Sequence, residues 1–209
     1  MQLTKYTHAC IALQRPGARL LIDPGVWSEP GVYEGVAAVL LTHEHVDHVD
    51  ADGLRALVRR DSAARIYAPE PVRAQLEDLG DAVVTLSVGA VVDIAGFSVR
   101  CVGGMHADIV DGLPGCVNLG YVVDDLVYHP GDSFFVPQGA VPTLLVPTGG
   151  PWMKLAEAIA FIRTVQPERA VSIHDAVTSA RGEPVIDRWI GDRCDTAYSR
   201  LPLGSSIEL

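Results

Sequence analysis

Thr42-His43-Glu44-His45-Val46-Asp47-His48 packs three histidines and an aspartate into six consecutive positions. Just upstream runs the apolar stretch Ala37-Ala38-Val39-Leu40-Leu41. Downstream, from Asp50 to Arg60, Leu54, Leu57 and Val58 recur at helical spacing. The cluster therefore belongs on a loop between a buried strand and a helix, where a rigid scaffold presents reactive groups. Imidazole and carboxylate groups are ligands for borderline divalent cations such as zinc. In an extended segment His43, His45 and Asp47 share one side, and the turn into the helix carries His48 to a second position. One ion cannot comfortably take all four donors from so short a stretch, so the pattern points to two adjacent ions.

The spacing His-x-His-x-Asp-His resembles the signature of the metallo-β-lactamase fold superfamily, and further pieces follow in that family's order. Asp23, ending the apolar run Leu20-Leu21-Ile22, matches an aspartate that supports the metal ligands from behind; before Pro24 it also suits a turn. Residues 91–102 read as a hairpin turning at Ala95-Gly96, leading to Gly103-Gly104-Met105-His106, where His106 matches the third ligand of the first ion. A second hairpin across Asp124-Asp125 delivers Gly131-Asp132, the match for a bridging carboxylate. His174, after the apolar run 170–173, matches the last ligand. The resemblance thus implies His43, His45 and His106 on one ion, Asp47, His48 and His174 on the other, and Asp132 across both. His8-Ala9 is similar to a His-Ala or His-Ser pair in the branch containing ascorbate-6-phosphate lactonase, which implies a supporting role for His8. His129 has no counterpart in the family and reads as structural, and Asp175 reads as an orienting or capping residue.

A chain of 209 residues, 48% hydrophobic and 20% charged, suits one domain spanning 1–209 with a sizeable core. The order of elements alone gives α/β or α+β with mixed sheets, and the resemblance sharpens this to a four-layer αββα sandwich. Strands are expected at 6–13 and 19–22, and helices at 69–80 and from Pro151 onward. The tail from Glu183 is expected to be helical and then loose. Trp152, Phe134 and Met105 adjoin ligand-bearing loops, and Trp152 is the expected substrate contact. No apolar run approaches bilayer length, and Met1 to Tyr6 lacks a signal peptide's apolar core, so a cytoplasmic protein without a membrane partner is expected. The net charge of −10 argues against nucleic acid as a partner. Four scattered cysteines without a Cys-x-x-Cys pair read as free, mostly buried thiols.

The implied cofactors are two divalent metal ions, zinc in the first place, with manganese or iron as alternatives. Such a pair acidifies a shared water. The implied activity is hydrolysis of a small ester, lactone, amide or phosphodiester, with Asp47 and Asp132 at the reacting centre and an anionic substrate favoured by the cations. No Gly-x-Ser-x-Gly elbow offers a serine route. The competing readings are a nuclease of the tRNA-processing or β-CASP type, opposed by the acidic charge, and an oxygen-reducing diiron protein, which carries Glu where this chain has His45. A non-catalytic metal-binding module is the remaining one. Substrate, metal and the existence of a homo-oligomer stay open at this level.

Overall fold

Alternating strands bury one face against a facing sheet and the other under helices, and this organises the computed structural model, which describes residues 1–111, 113 and 115–209. In chain order the elements begin β1 (Gln2–Lys5), β2 (Ile11–Arg15), β3 (Ala18–Ile22), β4 (Ala38–Leu40), α1 (Ala51–Arg60), β5 (Arg65–Ala68), α2 (Glu70–Gln75) and β6 (Val83–Thr85). They continue with β7 (Val91–Ile94), β8 (Phe97–Met105), β9 (Val117–Val123), β10 (Val127–His129), β11 (Thr143–Pro147), α3 (Leu155–Val165), β12 (Arg169–Ile173), α4 (Glu183–Arg193), β13 (Ala197–Ser199) and β14 (Ser206–Glu208). Two seven-stranded sheets result, ordered β14-β1-β2-β3-β4-β5-β6 and β13-β12-β11-β10-β9-β8-β7.

The period-2 alternation of the strands explains the layers. Leu3, Ile11, Leu13, Leu20 and Ile22 meet Phe97, Val99, Tyr121, Leu145 and Val171 in one core between the sheets. On the outer face of the first sheet, Leu21, Val39, Leu41 and Ile66 lie under Leu54 and Leu57 of α1 and Val72 of α2. On the second, Val122, Leu144, Val146 and Ala170 lie under Ala158, Phe161 and Ile162 of α3 and Ile190 of α4. This is the expected four-layer αββα sandwich, with mixed sheets. Each such buried Leu, Ile or Phe side chain contributes about 1.5–3 kcal/mol of transfer free energy.

Strand direction then places the chemistry. β3 and β4 run parallel, so Asp23 and the His43 loop emerge at the same edge. β10, β11 and β12 are also parallel, and β8 shares their direction because both β8 and β10 are antiparallel to β9. The ends of β8, β10 and β12 therefore bring His106, Asp132 and His174 to one rim.

Four local expectations are corrected. The strand expected at 6–13 is split: β1 lies at 2–5, and Tyr6 to Cys10 is a turn closed by Tyr6 N–H to Cys10 O (2.9 Å) and Cys10 N–H to Thr7 O (3.2 Å). The buried Lys5 ammonium, donating to the carbonyls of Tyr6 and His8, draws the chain into that turn. The helix expected at 69–80 stops at Gln75 and continues as a 3-10 stretch, Glu77–Ala82, broken where Gly80 takes φ 54°. The helix expected from Pro151 begins at Leu155, where Glu157 accepts the Lys154 amide at 2.5 Å, leaving Trp152 free to fold inward. The tail is not loose: β13 adds to β12 in parallel and β14 pairs antiparallel with β1, completing an edge of each sheet. Among the described residues no helix is long and apolar enough to cross a membrane.

The segment after β3 is sewn to the histidine loop by Val26 N–H to Val46 O (2.9 Å) and Asp50 N–H to Pro24 O (2.8 Å). A Cβ on Gly25 would lie 1.8 Å from the Asp47 carbonyl oxygen. Gly25→Ala must push this loop away, with an expected loss of about 1–3 kcal/mol and weaker metal retention. Denaturant melts and metal analysis of the variant check this, and unchanged values in both contradict it.

Candidate metal centre

The histidine loop is not extended, which corrects the shared side expected for His43, His45 and Asp47. A turn, with the amides of His48 and Val49 both bonded to His45 O at 3.0 Å, divides the loop after His45. His43 and His45 join His106 and Asp132 in one group; Asp47 and His48 join His174 and His8 in another. Within each group the ligand-capable atoms lie within 4.8 Å of one another. Every metal ligand expected from the sequence is thus brought into one of two adjacent groups. Asp132 reaches into both: its carboxylate oxygens lie 3.2 Å from His106 Nε2, 3.1 Å from His48 Nε2 and 2.9 Å from His174 Nε2.

The partners behind the rings decide which nitrogens face inward. Asp23, fully buried, accepts from the Thr42 amide (2.8 Å), the Thr42 hydroxyl (2.6 Å) and His48 Nδ1–H (2.8 Å). With its proton given to Asp23, Thr42 Oγ1 is left to accept from His43 Nδ1–H at 3.0 Å. His106 Nδ1–H donates to Ala107 O, and His174 Nδ1–H to Gly149 O, each at 2.5 Å. In all four rings Nε2 therefore points inward, the nitrogen available to a metal ion. His45 is turned the other way, its Nδ1 3.0 Å from His43 Nε2 and its Nε2 3.9 Å from Cys116 Sγ.

Whether these residues fit metal ions is tested by their unpaired atoms. His48 Nε2, His174 Nε2 and Asp132 Oδ1 are buried without a hydrogen-bond partner. The 3.1 Å approach of His48 Nε2 to Asp132 Oδ1 and the 2.9 Å approach of His174 Nε2 to Asp132 Oδ2 are close but not aligned for hydrogen bonding. Buried polar atoms that converge without pairing are costly. Cations seated among them would satisfy all three, so the donor set fits.

Electrostatics agree. Burial, aided by the neighbouring His48 charge, holds His43 well below the usual imidazole range, keeping it a neutral donor. Burial alone would raise Asp132, yet His48, His106 and His174 hold it well below the carboxylate range. Burial opposes a charge on His48 as well, but the Asp132 and Asp23 carboxylates outweigh it and raise its pKa well above the ordinary value. Burial also works against Asp47, but the His8 hydrogen bond and the His48 charge bring it down to about 2.

His129, expected to be structural, is fully buried beside the site. It bonds through Nε2 to Ala9 O at 2.9 Å and accepts the Gly131 amide on Nδ1 at 3.1 Å. Asp175 bonds Lys5 Nζ (3.3 Å) and Arg200 Nη1 (2.9 Å). Trp152 is 7% exposed, its ring 5.7 Å from His106 and 5.4 Å from His174, with Nε1 unpaired. Sequence reading missed Asn118 and Thr42. Asn118 Oδ1 accepts the Asp132 amide at 3.0 Å and its Nδ2 donates to Pro130 O at 2.8 Å, fixing the loop that carries Asp132. An asparagine inside the strand Val117-Asn118-Leu119 was the available signal.

Residues 2–174 match the model of the beta-lactamase superfamily domain. The chain is 36% identical over 214 aligned residues to protein Rv0786c of Mycobacterium tuberculosis, covering 99% of both chains. It is 27% identical to the UPF0173 metal-dependent hydrolase MJ1163 of Methanocaldococcus jannaschii, over 82% of this chain and 83% of that one. Among solved structures it superposes on Igni18, a metallo hydrolase of Ignicoccus hospitalis, with a TM-score of 0.76 at 21% identity, covering 99% and 97% of the two chains. The chain belongs to the metallo-β-lactamase fold superfamily of metal-dependent hydrolases.

Because nearby carboxylates, Asp132 above all, outweigh burial and raise His48 and His106 above their ordinary value, these rings must give up protons to become ligands. Ion binding is therefore expected to release protons and to tighten as pH rises. Calorimetric zinc titrations in buffers of different ionisation enthalpy measure this, and pH-independent binding without proton release contradicts it.

Proposed function

We propose that this superfamily member hydrolyses a small ester, lactone, amide or phosphodiester at a dinuclear centre. The ligands are His43, His45 and His106 on one side, Asp47, His48 and His174 on the other, and Asp132 between them. The observation that carries this reading is the position of Asp132, 2% exposed and within 3.2 Å of ring nitrogens from both groups. A carboxylate has two oxygens and serves two cations at once. The imidazole-rich donor set favours zinc, with manganese or iron as alternatives. A bound divalent pair supplies an acidified water with a pKa near about 7 and polarises the scissile bond.

The chain's own residues do the rest. Asp132 fixes the spacing of the two groups. Asp47, one-fifth exposed and held ionised, is the acceptor we assign to orient the attacking water. Trp152, with an unpaired indole N–H beside His106 and His174, is the candidate substrate contact. Val26, Trp27, Val46, Met105 and Val177 are exposed beside these loops and suit a substrate with an apolar part next to the scissile bond.

Asp132→Asn is expected to hold fewer than two ions and to lose roughly 100-fold or more of its turnover. His129→Asn, removed from the ligand atoms, is expected to lower stability while keeping both ions. Metal analysis, melting curves and assays on lactones, p-nitrophenyl esters and bis-p-nitrophenyl phosphate compare the two. Equal metal loss in both variants contradicts the bridge, and undiminished hydrolysis by metal-stripped enzyme contradicts the reading as a whole.

A further inference from the structure

His8, like His45, departs from the pattern of the other rings of the centre, whose Nδ1 faces an oxygen. It lies with Asp47, His48 and His174, close enough to count as a fourth ligand of that group. Its partners say otherwise. The Ala176 amide N–H donates to His8 Nδ1 at 3.3 Å, whereas the Nδ1 atoms of His43, His48, His106 and His174 all face oxygen acceptors. A neutral imidazole carries one proton. If Nδ1 accepts, the proton sits on Nε2, and Nε2 lies 3.2 Å from Asp47 Oδ2. To ligate through Nε2 the ring would need its proton on Nδ1, directed at the Ala176 N–H, and two donors would face each other.

The placement is enforced from several sides. His8 takes φ 65°, a left-handed conformation rare for a side-chain-bearing residue. Its carbonyl accepts from Lys5 Nζ (2.7 Å) and from the His174 amide (3.1 Å). Its ring is 1% exposed and packs against His174 at 3.9 Å and edge-on to Trp27 at 5.0 Å.

We propose that His8 is a positioning residue, an Nε2–H donor that orients the Asp47 carboxylate and does not bind metal. It joins the turn after β1, the histidine loop and the loop after β12 into one unit. The inference rests on the dinuclear reading above.

Two measurements with zinc as the probe test it. In histidine-labelled protein, long-range proton–nitrogen spectra report each ring's tautomer. His8 is expected to keep its proton on Nε2 with and without zinc, while zinc-loaded His43, His48, His106 and His174 carry theirs on Nδ1. Loss of the Nε2 proton on loading overturns the proposal. In zinc titrations, His8→Ala is expected to weaken the second ion by roughly 10–100-fold with the first unchanged. His8→Gln, which keeps a terminal N–H donor, is expected to recover most of that loss. Unchanged affinity in His8→Ala, or His8→Gln as weak as His8→Ala, overturns it. Wild-type protein that binds fewer than two zinc ions sinks the dinuclear reading instead, and the His8 tautomer is still read independently of that stoichiometry.

Discussion

A carboxylate removed from water must find positive charge or hydrogen-bond donors, and Asp132 finds imidazoles from three loops. Removing an ion from water costs several kcal/mol even after relaxation, so the surrounding loops must be held within tenths of an ångström of their places. The fold supplies that precision through backbone. Gly131 takes φ 62°, and a Cβ there would stand 2.2 Å from Asn118 Oδ1. The same Asn118 holds the Asp132 amide and the Pro130 carbonyl. Asp23 performs the matching task on the opposite sheet, binding Thr42 twice and His48 once. Two buried carboxylates thus register the two sheets' rims against each other, one facing the ligand atoms and one behind them.

The centre is also where the backbone is strained. His8, Asp23 and His174 have positive φ without being glycine, at a cost of about 1–3 kcal/mol each. The remaining such residues, Ala95, Asp124, Asp125 and Gln166, sit in hairpin turns or at a helix end, where this conformation is ordinary. At the centre the offset comes from an ionic scaffold anchored on the buried Lys5. Lys5 binds the His8 carbonyl and Asp175, while Arg200 binds Asp175 and, through two nitrogens, Asp187. Strain at residues that carry or flank ligands is preorganisation: the donors are in place before an ion arrives.

The layer order, and the seven side chains that the structure gathers into two groups, could be read from the sequence because they rest on strong local signals. Those signals are the apolar alternation of β2, β3, β8 and β9, and reactive residues placed directly after strand-forming runs. What escaped depended on distant partners. Ala197–Ser199 and Ser206–Glu208 are three-residue segments of mixed polarity that become strands only because β12 and β1 offer open edges. The sequence puts His8 on a strand because nothing adjacent announces that Lys5 is buried and gathers the Tyr6 and His8 carbonyls. The alternation of His43, His45 and Asp47 suggested an extended loop. The Asp23–Thr42 bonds and the turn at His45 O divide that loop between two groups of ligands. Tautomers, finally, follow from oxygens and amides far away in sequence, such as Gly149 O and Ala176 N.

The central claim is that one buried carboxylate spans two cations, and anomalous diffraction from crystals grown with excess zinc tests it most directly. Two anomalous peaks are predicted, about 3.5–4 Å apart, each at about 2.0–2.2 Å from an Asp132 oxygen. One peak lies among His43, His45 and His106, and the other among Asp47, His48 and His174, with His8 outside both coordination spheres. A single peak, or two peaks of which only one touches Asp132, would contradict it.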